Sequence, residues 1–86
     1  MNKYIVEFLG TMVLMIAYNS TGEPLPIGLT LTIAIMLGAP ISGGHFNPAI
    51  SIAKAFAKKI TLNDLLIYVT AQIAGAFTAS HLNRLF

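Results

Sequence analysis

Cysteine is absent from this sequence of 86 residues, and charge is scarce. Without a thiol there is no disulfide, no thiolate metal site and no cysteine nucleophile. Charged side chains make up 9% of the residues, three acidic and five basic, whereas a soluble domain carries about 25%. So few charges cannot solvate the surface of a small globular protein. The net charge of +2 is small and scattered, which argues against a nucleic-acid partner. Also missing are a paired set of carboxylates, a nucleophile with a neighbouring base and a cluster of metal-ligating residues, so the sequence points to no enzyme, metal or cofactor. What remains is apolar. Hydrophobic residues reach 56%, and a membrane protein is the default reading of that composition.

Three long apolar segments follow one another. The first covers residues 4–18, is interrupted only by Glu7, and ends in the turn-forming run Asn19, Ser20, Thr21, Gly22. The second covers 25–41, with Pro24 and Pro26 at its start and Pro40 at its end. The third covers 62–82 and is introduced by Thr61, Asn63 and Asp64, residues suited to a helix N-terminus. A spanning helix needs about 17–25 residues, so the third qualifies outright and the first two qualify with their flanks. A signal-peptide reading of the first segment, with Lys3 as the charged start, is weakened by Glu7 and by the lack of a small-x-small cleavage site near 18–21. No repeat, linker or second domain is visible.

Between the second and third segments lies "SGGHFNPAISIA", residues 42–53. Asn47 is a good N-cap, and Pro48 fits the first helical position, where its missing N–H costs nothing. The spacing predicts a helix over 48–57, ending near Lys58 and Lys59, whose charges suit the negative end of a helix dipole. Ten residues at about 1.5 Å each span roughly 15 Å, half of a hydrocarbon core of about 30 Å. With the lysines at a membrane surface, Asn47 falls near the midplane, and residues 40–46 must return to that depth as irregular chain. Such backbone is tolerated there only if buried in protein or facing a watery cavity, and Gly43 and Gly44 permit the dihedrals it needs. A helix N-terminus at the midplane repels cations. The plainer alternative is a surface loop followed by an amphipathic helix.

This stretch resembles the first Asn-Pro-Ala loop of the aquaporin and glycerol-facilitator family, the major intrinsic proteins. "VEFLGT" at 6–11, "GLTLTIAIMLG" at 28–38 and "AQIAGAF" at 71–77 resemble the family's first, second and third helices, in the same order. Family members carry two such halves, related by an in-plane pseudo-two-fold, and this sequence is similar to one of them. The resemblance implies an all-α membrane protein with spanning helices at about 4–20, 25–40 and 61–82, and a re-entrant loop with a half-helix at 41–58. It implies a passive channel for water or small uncharged solutes such as glycerol, conducting as an oligomer. The competing expectation is a non-conducting relative that binds or modulates a full-length channel.

The resemblance also assigns roles. Asn47, Pro48 and Ala49 match the signature tripeptide, with Asn47 donating to the passing solute. Ser42, Gly43, Gly44, His45 and Phe46 match the loop whose carbonyls form its hydrogen-bond ladder. Glu7 matches the glutamate that accepts from the loop amides, in keeping with the cost of an unpartnered acid inside a span. Its alternative is an interfacial residue one turn into the helix. Gln72 reads as glue between helix and loop, and Ala71, Gly75 and Ala79 as a close-packing stripe. His45 reads as a structural hydrogen-bonder, His81 as a residue at the membrane edge, and the Asn19-Ser20-Thr21 sequon as accidental. Two positions depart from a selective pore. Ile50 stands after the tripeptide where full-length members place an arginine in their second half, and Ile27 falls at a filter position that is aromatic in water-selective members.

Assembly carries a tension. A family-like pore needs two half-helices, hence an antiparallel homodimer or a complementary half. Yet Lys3, Lys54, Lys58 and Lys59 fall on the N-terminal side and only Arg84 on the other, a bias that favours one orientation with the N-terminus cytoplasmic. Dual topology is needed for the homodimer. The partners implied are membrane lipid, a second half and small neutral solutes.

Overall fold

The structure, a computed structural model, describes residues 1–86 and is all-helical. It contains α1 (Lys3–Ser20), α2 (Pro24–Ser42), α3 (Pro48–Phe56) and α4 (Leu62–Leu85). Three helices start on side-chain caps that accept an otherwise orphaned N–H. Asn2 accepts from Ile5, Asn47 from Ala49 and Thr61 from Asp64. The fourth, α2, starts on Pro24 behind Glu23, which makes no side-chain cap.

α2 passes through Pro40 and stops only after Ser42, two residues beyond the expected end. A proline removes its own donor, so only the bond to the carbonyl four residues back is lost. The next turn still closes, because Gly43 N–H reaches Ala39 O at 2.9 Å. Gly43 then ends the helix in the left-handed conformation, φ 89°. The irregular chain before α3 is correspondingly shorter than the sequence suggests. α3 has nine residues, about 14 Å at the usual helical rise, and gives way to a turn at Ala57 and Lys58.

α1 and α4 pack along their whole length and run parallel. At their N-terminal ends Lys3 Nζ and Tyr4 OH both donate to Asp64, each at 2.7 Å. At the far ends Asn19 donates to Asn83 Oδ1, and Asn83 donates back to Ser20 Oγ, both at 3.2 Å. Between these clasps the backbones touch at Gly75, where an added Cβ would lie 2.4 Å from the Phe8 carbonyl oxygen. Buried positions 68, 72, 75 and 79 mark the face of α4 that makes the seam. α2 packs on α1, and α3 packs on α4.

The resulting interior is polar. The largest fully buried side chains are Gln72, Glu7 and Ser51, whereas Met36 and Leu37 of α2 are 71% and 73% exposed. α2 and α4 are long and apolar enough to cross a membrane. α1 has 18 residues but carries Lys3, Glu7 and a polar Asn19-Ser20 end.

Candidate functional site

Five residues, Gly43 to Asn47, join α2 to α3, and three of them have positive φ. Gly43, Gly44 and Phe46 have φ of 89°, 65° and 53°. For phenylalanine this is a costly conformation, and two anchors hold it. Phe46 N–H donates to Glu7 Oε1 at 2.7 Å, and its ring fills a slot in which an added Cβ on Gly10 or Gly38 would come within 2.1 or 2.8 Å.

Glu7 is the centre of the site. Oε2 accepts from Ser42 Oγ at 2.8 Å and His45 N–H at 3.0 Å. Oε1 accepts from Phe46 N–H at 2.7 Å and Gln72 Nε2 at 2.9 Å. Two donors on each oxygen fill the accepting capacity of a carboxylate. Glu7 is fully buried, so these bonds replace its water. Gln72 gives its second hydrogen to Ser51 Oγ at 2.9 Å, and Ser51 Oγ in turn lies 2.8 Å from His45 Nδ1. One acid thereby ties α1 to the loop, to α4 and, through Ser51, to α3.

The loop is left with a one-sided set of hydrogen-bonding groups. Every N–H from Gly43 to Phe46 is engaged, with Ala39 O, Ser42 Oγ, Glu7 Oε2 and Glu7 Oε1 respectively. None of the four carbonyls accepts a bond within the chain. Asn47 continues the pattern with the opposite sign. Its Oδ1 accepts from Ala49 N–H at 2.8 Å, leaving the amide hydrogens free on an exposed side chain. A row of acceptors followed by a donor suits a small molecule that both donates and accepts.

Ser42 differs from the reading that made its carbonyl part of this row. It is the last residue of α2, it is buried, and its carbonyl accepts from Tyr68 OH at 2.6 Å. The two further residues of α2 past Pro40 place it in the helix rather than in the loop. Pro48 is half-buried at the first position of α3, and Ala49 and Ile50 are exposed on it. Ile27 lies in the first turn of α2, fifteen residues before Ser42, about 22 Å away at the helical rise, and takes no part in the network. Gly75 and Ala79 are buried in the α1–α4 seam, with Ala71 half-buried beside it.

Ser51 and Tyr68 were not singled out from the sequence. Tyr68 stands four residues before Gln72, hence on the same face of α4, and its ring lies 5.0 Å from that of His45. That spacing was the available signal. Two buried oxygens, Thr11 Oγ1 and Gln72 Oε1, have no partner.

Comparison with known proteins gives a consistent result. The family model for the major intrinsic proteins matches residues 19–86. Glycerol uptake facilitator protein-like 6 of Lactiplantibacillus plantarum is 43% identical, over 93% of this chain and 41% of that protein. Aquaporin Z of Brucella melitensis is 36% identical, over 93% and 42%. Nodulin-26 of Glycine max is 35% identical, over 99% and 36%. The chain thus spans about two fifths of the length of these relatives. No solved structure gives a significant match.

Proposed function

The chain belongs to the major intrinsic protein family, a family of channels, and from that premise we propose that it forms half of a passive pore for water or small uncharged solutes such as glycerol. α1, α2 and α4 each cross the membrane, while the loop and α3 enter and leave from one side. The solute passes the free carbonyls of Gly43, Gly44, His45 and Phe46 and meets the Asn47 amide at the midplane. Glu7 and Gln72 hold that loop, and Gly75 and Ala79 close the helices around it. Ile27 and Ile50 leave the narrow region apolar and less discriminating than a filter containing arginine.

The observation that supports this reading best is the division of the loop's hydrogen bonding, with four amides held inward and four carbonyls free. Irregular backbone with unsatisfied carbonyls is stable inside a bilayer only where it borders protein or water.

One copy supplies one half-helix, so the conducting unit is an antiparallel homodimer or a pair with a complementary half. Only an antiparallel arrangement brings two Asn47 side chains together across an in-plane two-fold. The chain is multi-pass with the N-terminus cytoplasmic, and dual topology serves the homodimer. The lysine bias, with Lys3, Lys54, Lys58 and Lys59 opposite Arg84 alone, favours a second reading, a singly oriented relative that modulates a full-length channel.

Swelling of liposomes containing only the purified chain tests the pore. Solute flux that falls, or ion leakage that appears, in Asn47→Asp supports the pore. No flux, with an N-terminal tag accessible from one side only and no crosslink through Ala49→Cys, excludes the homodimer and means that the chain either needs a complementary half or does not conduct.

A further inference from the structure

The hydrogen-bond roles around Ser51 are forced, and they reach as far as His45. Glu7 as a carboxylate only accepts, so the group 2.9 Å from its Oε1 must be the amide nitrogen of Gln72. The same nitrogen is 2.9 Å from Ser51 Oγ, so Ser51 accepts there. A serine hydroxyl has one hydrogen. Its other neighbour is His45 Nδ1 at 2.8 Å, and this is the partner available to receive it. Were Nδ1 protonated, Ser51 would face two donors while its own hydrogen pointed at nothing in a fully buried position, at the cost of a buried unsatisfied donor.

From this we infer that Ser51 is a positioning residue that fixes the His45 tautomer, with Nδ1 bare and the hydrogen on Nε2. Donation diverges at Gln72, to Glu7 on one side and to Ser51 on the other, and continues from Ser51 to the imidazole. Nε2 makes no hydrogen bond within the chain and lies beside the exposed Gly43, 3.3 Å from where a Cβ there would sit. The loop therefore presents a second side-chain N–H, two residues before the Asn47 amide, next to its row of carbonyls. Its significance for solute passage rests on the channel reading above. The tautomer does not.

Nitrogen NMR of the isotope-labelled histidine ring tests the assignment in the full chain reconstituted in lipid, in a His81→Gln background so that only His45 is observed. The expected spectrum has one protonated nitrogen, Nε2, and one bare nitrogen, Nδ1. Ser51→Thr keeps the hydroxyl and keeps that spectrum. Ser51→Ala removes the donor, and the single tautomer becomes a mixture of both. A protonated Nδ1 in the unaltered chain overturns the inference, as does a Ser51→Ala spectrum that retains Nε2–H alone. Should Ser51→Ala fail to fold, the unaltered and Ser51→Thr spectra decide the matter alone. A chain that passes this test yet conducts nothing, alone or with a complementary half, would refute the channel reading and leave the tautomer standing.

Discussion

The seam between α1 and α4 and the outer surface of α2 are opposites. The seam is lined by Glu7, Gln72, Gly75 and Ala79, all buried, and clasped at each end by polar side chains. α2 packs on α1 and turns Leu29, Ile33, Met36 and Leu37 outward, each more than half exposed. In a water-soluble protein these populations would be exchanged. The difference teaches where specificity resides. Apolar side chains facing lipid have little preference for one partner over another, so the directional bonds of the seam determine which helix sits where and how the loop is held.

Substitutions on the two sides should therefore differ sharply. The largest effect is expected from Glu7→Ala, which leaves the His45 and Phe46 amides with no acceptor, while Ser42 Oγ keeps Gly38 O and Gln72 Nε2 keeps Ser51 Oγ. Each unpaired buried group costs about 1–3 kcal/mol, so thermal stability in detergent should collapse. Glu7→Gln should fall between, since it keeps the shape but accepts through one oxygen. An unchanged melting temperature in Glu7→Ala would refute the anchoring role.

Next comes Gly75→Val, which must push α1 away, because any Cβ there meets the Phe8 carbonyl at 2.4 Å. Overpacking of this kind costs about 1–3 kcal/mol, read as a lowered melting temperature. Tyr68→Phe should cost less, on the order of 1 kcal/mol for one hydrogen bond, with the Ser42 carbonyl released from its partner. The smallest effect is expected at Leu37→Ala. A side chain 73% exposed and away from the seam should change stability by no more than about 0.5 kcal/mol in detergent. A loss at Leu37 as large as that at Gly75 would erase the comparison and mean that a partner covers α2.

Much of the seam's chemistry was legible in single residues. Glu7 is the one charge inside an apolar run, so solvation cost leaves it either a buried partner set or an interfacial position, and the resemblance selects the first. Asn47-Pro48 announces a helix start through the cap and the missing N–H, and the glycines at 43 and 44 announce unusual dihedrals. The partners were harder to see. Ser51 is an ordinary residue within α3 until Gln72 arrives beside it, and that pairing spans 21 residues of sequence. The Lys3–Asp64 clasp spans 61 and follows from α1 and α4 lying parallel, which local pattern does not state. The end of α2 was misplaced at Pro40 because the sequence marks the lost donor but not the bond from Gly43 that closes the following turn.

The position of Gln72 also has a consequence in time. During synthesis α1, α2, the loop and α3 all emerge before α4, yet Gln72 and Tyr68, which complete the contacts of Glu7, Ser51 and Ser42, belong to α4. Until then α2 and α3 have the loop in common and no packing contact between them. Of these four helices α4 emerges after the loop it locks, so the loop's bonds to Gln72 and Tyr68 wait for a helix that is made later than the loop itself.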